Sequence, residues 1–262
     1  MRLLIFEDEF YRNFYPMTFT RPIYDLRIGF YSLLKHFIDF FGFETILYVR
    51  DYLAEFLKVR FRDFDVNSVD DYDDILLING RLMPRAANLN FIKSLIVDNR
   101  FFILLDSIGV VAARLSKPLL RDLLSQCVNG ILSSKIFLNL HGKCDFIRLN
   151  DGMLISYPWE LIIFNEEFLK SDFKFGGSLG EIDSRVIVYG SNSNLYLGEN
   201  SRVEGNVNID VRAGPIYVGR DVTVLGPCRI EGPSYIGDGS IVLAGARIRS
   251  GSNIGMVCRV GG

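Results

Sequence analysis

The chain predicts a mostly parallel α/β domain followed by a left-handed parallel β-helix, and three observations carry that expectation. Residues 1 to about 175 alternate short strand-like and helix-like segments, the pattern of a parallel sheet with helical crossovers. From about Leu197 to Gly262, aliphatic residues recur six apart, a period that neither an α-helix nor simple strand alternation produces. The 262 residues, 49% of them hydrophobic, suffice to bury one or two sizeable cores. The expected domains are 1–175 and 176–262.

The chain begins with an apolar run at residues 3–6 that Glu7 and Asp8 cut short. It fits a first core strand and is too short for a signal peptide or a membrane span. A helix is expected near 30–41, a strand at 45–49, a helix near 52–59 and a strand at 75–78. Residues 101–105 and 109–113 read as further strands. A helix follows with Ser116 as N-cap and Pro118 in its first turn, and another follows Trp159. In open α/β sheets ligands sit beyond the carboxyl ends of strands, so a site is expected in the loops after Phe6 and after Ile78.

In the repeat, Val218, Val224, Ile230, Ile236, Val242, Ile248, Ile254 and Val260 form one unbroken ladder. Val222, Cys228, Ser234, Ser240, Ala246, Ser252 and Cys258 form a second, of small side chains. A triangular prism generates both: each hexad is one side, its aliphatic residue points inward, and the small residue relieves crowding at the turn. Three hexads make a coil. Tyr217-Val218-Gly219, Tyr235-Ile236-Gly237 and Asn253-Ile254-Gly255 repeat at that longer spacing, and glycine after the rung suits a tight corner. Leu197, Val203 and Ile209 extend the ladder upstream but stand three residues out of step with Val218, so a bulge is expected around 212–215. Cys228 and Cys258 fall on different coils, and Cys127 and Cys144 lack metal-ligand spacing, so free thiols are expected. The ladder stops in phase at Val260-Gly261-Gly262 with no polar cap, which points to a continuation beyond Gly262 or to a partner covering the last coil.

Lys and Arg number 29 against 31 Asp and Glu, interspersed, for a net charge of -2. No basic face is available for nucleic acid or an anionic membrane, and neither is expected as a partner. The apolar start without a leader pattern places the protein in the cytoplasm. His36, in an expected helix, and His141, in a loop, read as structural.

Four segments carry a resemblance: Phe6-Glu7-Asp8 followed by Asn13-Phe14-Tyr15-Pro16-Met17-Thr18-Phe19-Thr20-Arg21-Pro22; Leu77-Ile78-Asn79-Gly80-Arg81; Tyr157-Pro158-Trp159-Glu160-Leu161 with Asn165; and Gly214-Pro215-Ile216-Tyr217-Val218-Gly219. Together they resemble the sugar-1-phosphate nucleotidyltransferases, and more narrowly a divergent branch of that family, over nearly the whole chain. The resemblance implies a Rossmann-like nucleotidyltransferase domain ahead of the β-helix. It implies an enzyme that joins a nucleoside triphosphate to glucose 1-phosphate or N-acetylglucosamine 1-phosphate, giving an NDP-sugar and pyrophosphate with Mg²⁺ as cofactor. A homo-oligomer, trimeric through the β-helix, goes with it.

Carried over residue by residue, the resemblance implies catalytic, phosphate-holding roles for Arg12, Arg21 and Arg81. It implies substrate contacts from Asn13, Thr18, Thr20, Asp25, Arg27, Asn79 and Gly80, and Mg²⁺ held through Glu7 and Asp8. In-line attack on the α-phosphorus needs positioning and cationic charge, and guanidinium groups clamp phosphate oxygens two at a time. The alternatives are ion pairing of these arginines with Asp8, Asp25 or neighbours, solvated loop carboxylates at Glu7 and Asp8, and a turn-forming Asn79 before Gly80. Trp159 reads as a packing anchor more than a stacking platform. Several features depart from the family pattern: Asn13 and Ile23 stand where the family has an arginine and a lysine. The turn Glu7-Asp8-Glu9-Phe10-Tyr11-Arg12 has no glycine to wrap a triphosphate, and Arg81 stands where the family has a metal-binding aspartate. They keep open a catalytically silent NDP-sugar-binding regulatory or assembly subunit. A third function, the acyl transfer of many hexapeptide-repeat proteins, calls for a histidine base, and none follows His141.

Overall fold

The apolar run after Met1 becomes β1 (Arg2–Phe6), the strand at which the chain reverses direction across its sheet. The computed structural model describes residues 1–69, 74–150 and 152–261; Gly262, the last residue of the expected repeat, lies outside them. After β1 come α1 (Leu33–Phe41), β2 (Thr45–Leu47), α2 (Asp51–Arg60), β3 (Asp65–Val66), β4 (Asp74–Asn79) and α3 (Ala86–Val97). They are followed by β5 (Phe102–Leu105), β6 (Val110–Ser116), α4 (Lys117–Leu124), α5 (Ser134–Leu138), β7 (Asp145–Arg148) and α6 (Pro158–Asp172). Among the described residues the sheet runs β3-β2-β1-β4-β6-β5-β7, and only β6 is antiparallel to its neighbours. The chain moves outward through β2 and β3, then returns to the other side of β1 with β4. The strand order therefore reverses between β1 and β4, and a crevice opens at the carboxyl ends of such a pair.

Because this sheet is covered on both faces, its strands are continuously apolar instead of alternating. Leu4, Phe6, Ile75 and Leu77 pack on one face with Leu120, Leu123 and Phe137 from α4 and α5. Ser32 caps α1 through its hydroxyl, which accepts the Lys35 amide at 3.2 Å. Ser116 occupies the N-cap position of α4, but its hydroxyl makes no capping bond.

The described chain forms two compact units: Met1–Arg27 with Tyr31–Glu160, and Ile28–Phe30 with Leu161–Gly262. Residues 28–30 and most of α6 thus belong with the coils, whereas the sequence reading put them in the α/β part. Phe30, expected to open the first helix, lies outside α1. It packs instead against Phe173, Phe175, Tyr217 and Tyr235 of the second unit.

Within that second unit the strands stack in parallel on three sides. One side holds Glu181–Ile182, Arg202–Val203, Thr223–Val224, Ile241–Val242 and Arg259–Val260 in order. The coils begin with Ile182 and Val188, earlier than Leu197, because two bulges interrupt the period instead of one. Ile182 pairs with Val203 and Val203 with Val224, whereas Val224 pairs with Val242 and Val242 with Val260. The first two coils are therefore three residues longer than the later two. The excess falls at the same corner each time, after Tyr189 and after Asp210, and the two bulges are tied by a Val211 amide to Tyr189 carbonyl bond of 2.9 Å. Inward residues Leu197, Val203, Ile209, Val218, Val224, Ile230 and Ile236 are buried together.

Two of the small residues have a polar task at the corners. The Ser201 hydroxyl donates to the Gly219 carbonyl (2.6 Å) and accepts the Val222 amide (2.9 Å), both on the next coil; two coils on, Ser240 repeats this with Gly255 and Cys258. Gly219 and Gly237, each after a rung, are fixed by proximity and not by a left-handed φ: a Cβ on Gly219 would lie 2.7 Å from the Asp238 amide nitrogen, and one on Gly237 2.7 Å from the Gly255 carbonyl. Outside, Tyr196, Tyr217 and Tyr235 stack with ring centroids 5.0 and 5.2 Å apart, about the spacing of hydrogen-bonded strands. The four cysteines are free, and burial pushes the Cys228 thiol up to about 11.

Phe30→Ala should destabilise the coil unit by about 3–5 kcal/mol, the usual loss for a buried phenylalanine. The check is the urea midpoint followed by circular dichroism; a midpoint equal to that of the unmutated chain would mean the aromatic cluster carries no load.

Candidate active site

The carboxyl ends of β1 and β4 meet because their register places Phe6 opposite Asn79. The turn at Gly80 then folds back on β1, its amide donating to the Phe6 carbonyl at 2.8 Å. Only glycine fits there, since a Cβ would sit 2.9 Å from the Tyr24 ring and 3.0 Å from Ile23. This brings together Glu7, Asp8, Asn79, Gly80 and Arg81, as the loop argument expects.

What these groups do to one another differs from the expectation. Arg81 is 1% exposed. Its Nε and Nη2 donate to Asp8 Oδ1 and Oδ2 at 2.8 and 2.6 Å, and its Nη1 to the Ile155 carbonyl at 2.5 Å. Asn79 Nδ2 donates to Asp8 Oδ2 and to the Val110 carbonyl, both at 2.8 Å, and its Oδ1 accepts the Arg81 amide at 2.9 Å. The phosphate role expected of Arg81 thus gives way to the alternative, an ion pair with Asp8. Asn79 ties strands together beside it.

Glu7 is neutralised in the same manner by a residue the sequence reading missed. Arg50, 1% exposed, donates Nε to Glu7 Oε2 (2.9 Å) and Nη2 to Oε1 (3.3 Å) and to the Arg21 carbonyl (2.9 Å). Its Nη1 donates to the Tyr52 hydroxyl at 2.6 Å, and its guanidinium lies 4.1 Å from the Tyr11 ring centroid. The Ile23 amide completes the Glu7 shell at 2.8 Å. Burial pushes the Glu7 carboxyl up from its ordinary value, and Arg50 pulls against that. Arg50 follows β2 as Glu7 follows β1, so the same carboxyl-end rule would have found it. Glu9 is held too, accepting from the Ser133 hydroxyl at 2.9 Å and the Ser134 amide at 3.3 Å.

The Mg²⁺ expected through Glu7 and Asp8 does not fit this donor set. Each Asp8 oxygen already accepts two donors, the Phe10 amide being the fourth at 3.2 Å. Both Glu7 oxygens are taken by Arg50 and Ile23. Among the described residues no group of three or more His, Cys, Asp or Glu is arranged to hold a metal.

The loop of residues 9–25 carries the other expected residues. Its 3₁₀ turns Glu9–Phe14, Met17–Phe19 and Ile23–Asp25 leave Arg12, Thr20 and Arg21 exposed. Thr18 is buried, its hydroxyl donating to the Tyr11 carbonyl at 2.9 Å, so it holds the loop and does not face a ligand. Asn13 is half-buried and donates to the Ser156 carbonyl at 3.1 Å. Asp25 pairs with Arg60 at 2.9 Å, and its carboxyl is raised by burial, with Arg60, Arg21 and Arg27 pulling against that; Arg27 is half-buried. Tyr15 and Phe19 stack at 4.1 Å with outward faces exposed. Trp159 is no packing anchor: 54% exposed, it stacks flat on Tyr157 at 4.4 Å. A separate cleft of about 390 Å³, lined by Leu95, Arg100, Phe102 and Asp145, lies at the amino ends of β5 and β7, the opposite edge of the sheet.

Replacing Arg50 by Met should cost about 3–5 kcal/mol, the penalty for stranding a buried charge. Glu7 would then be ionised only against unopposed desolvation. The deficit should be full at neutral pH and shrink as pH falls through the raised folded-state pKa toward the ordinary 4.5, where the carboxyl is neutral in both states. Denaturation midpoints of both chains across pH test this; a deficit independent of pH would show that Glu7 is not its source.

A family model for sugar nucleotidyl transferases matches residues 3–177. Solved structures similar to the chain include a protein from Bacillus anthracis described as a glucose-1-phosphate thymidylyltransferase, solved in complex with a sucrose; the match has 12% identity and a TM-score of 0.44, covering 68% of this chain and 98% of that one. None of the curated proteins matches the chain. No helix among the described residues is long and apolar enough to cross a membrane.

Proposed function

The chain belongs to the sugar nucleotidyl transferase family, and from that premise we propose that it forms an NDP-sugar from a nucleoside triphosphate and a sugar 1-phosphate of the glucose or N-acetylglucosamine type. In that reaction a phosphate oxygen of the sugar attacks the α-phosphorus in line, one P–O bond forms, the bond to the β-phosphate breaks, and pyrophosphate leaves. The observation that carries the reading is the pairing of Phe6 with Asn79. It sets the turn after β1 beside Asn79-Gly80 where the strand order reverses, the place at which an open α/β sheet binds its ligand.

The exposed Arg12 and Arg21 are the groups to meet phosphate charge, with Thr20 and the loop backbone beside them. Arg50 acts on them from behind, as a positioning residue: it accepts no ligand, but by bonding the Arg21 carbonyl it fixes the loop on which both arginines stand. No step is assigned to a metal held by Glu7 or Asp8, since their oxygens are occupied.

A second reading is a catalytically silent subunit that binds an NDP-sugar. It is favoured by the acidic turn, whose three carboxylates are all bound to protein groups and which has no glycine to cradle a triphosphate.

The separating experiment offers each nucleoside triphosphate with glucose 1-phosphate or N-acetylglucosamine 1-phosphate, with and without Mg²⁺, and follows pyrophosphate. Release with one pair is expected. Tight NDP-sugar binding with no release from any pair would establish the silent subunit instead. Arg12→Ala and Arg21→Ala should each lower kcat/KM by about 10- to 100-fold, the worth of one charge-assisted contact; rates unchanged in both would remove these arginines from the site.

A further inference from the structure

Three oxygens of unit 1 surround the Arg81 guanidinium: both carboxylate oxygens of Asp8 and the carbonyl oxygen of Ile155. They lie 2.5 to 2.8 Å from the three guanidinium nitrogens of Arg81. Carboxylate and carbonyl oxygens brought together in this way are the hard donors that suit a divalent cation. What they hold is a cation already attached to the chain. The Phe10 ring lies 4.9 Å from the guanidinium carbon, and Gly109 approaches on another side, where an added Cβ would be 3.4 Å from Nη2. With 1% of Arg81 exposed, the guanidinium cannot leave without stranding the Asp8 charge in a low-dielectric interior, and a free ion cannot enter without displacing it.

We infer that the Arg81 guanidinium replaces a divalent cation at Asp8, so that the chain holds this carboxylate without metal and a substitution at Arg81 alone opens a divalent-cation site. The inference concerns the site of the proposed function but does not depend on turnover there. Arg81→Asp would leave the Asp8 carboxylate, a second carboxylate and the Ile155 carbonyl around a hollow with no internal charge to balance them. That is the composition from which oxygen-ligand sites for Mg²⁺ or Mn²⁺ are made.

The test uses the full chain and Mn²⁺ alone, with no nucleotide or sugar, so its outcome is separate from any assay of pyrophosphate release. Mn²⁺ uptake is followed by electron paramagnetic resonance, and the unfolding midpoint is measured with and without Mn²⁺. The unmutated chain should take up no stoichiometric Mn²⁺ and show no Mn²⁺-dependent midpoint. Arg81→Asp should unfold earlier without metal, recover with Mn²⁺, and bind one ion per chain at least about a hundredfold more tightly than the unmutated chain, because ligand charge sets affinity. Addition of Asp8→Asn to Arg81→Asp should abolish the uptake. Should Arg81→Asp not fold, Arg81→Ala opens the same oxygens without a second buried charge and carries the same expectation. Stoichiometric Mn²⁺ in the unmutated chain that Asp8→Asn removes would overturn the inference, as would folded Arg81 variants that bind no Mn²⁺.

Discussion

Asp8 and Arg81 face each other through two hydrogen bonds with almost no access to water. A carboxylate in that position, deprived of its partner, would cost roughly 3–5 kcal/mol; the guanidinium would cost a similar amount. Neither residue can be explained alone, and neither can the loops on either side. Asp8 is fixed to β4 through Arg81 and Asn79, Glu7 to the end of β2 through Arg50, and Glu9 to the start of α5 through Ser133 and Ser134. One acidic turn thus pins three neighbouring segments, and the exposed loop with Arg12 and Arg21 stands on that foundation.

The same turn frames the chemistry. Phosphoryl-group chemistry asks a protein chiefly for fixed positive charge, and two of the guanidinium groups nearest the strand ends are consumed internally. The remaining positive charge is outside, on the 9–25 loop. The Arg50 side chain links the two, since it neutralises Glu7 within and holds the Arg21 carbonyl at the surface. An anion docking on the loop, as proposed, would meet groups whose backbone is already anchored, which lowers the ordering cost of binding.

In the second unit the governing constraint is coil spacing. Strands of successive coils sit at hydrogen-bonding distance, so any residue on the corner must tolerate a neighbour directly above it. Glycine does so at Gly219 and Gly237, serine does so by spending its hydroxyl on two backbone groups of the next coil, and tyrosine does so on the outer face by stacking ring on ring. Three extra residues at one corner leave this intact because they bulge at the same place in both long coils and bond to each other.

Much of this was legible in the chain itself. The alternation of apolar runs gave the sheet, the six-residue ladder gave the coils, and the carboxyl-end rule picked the turn after Phe6 and the Asn79-Gly80 turn, because each depends on neighbours near in sequence. The first coil escaped notice since a bulge after Tyr189 throws Val188 out of step with Leu197, and a fixed period cannot bridge it. Whether Arg81 meets phosphate or carboxylate was likewise not written locally. Asp8 lies 73 residues away and Ile155 74; only the register of β1 on β4 and the fold-back of the segment at Ile155 bring their oxygens to it. The sequence alone determined which charges stand at the strand ends. The tertiary structure decided that they neutralise one another, because burial makes a paired charge far cheaper than a free one and only the fold sets who is buried beside whom.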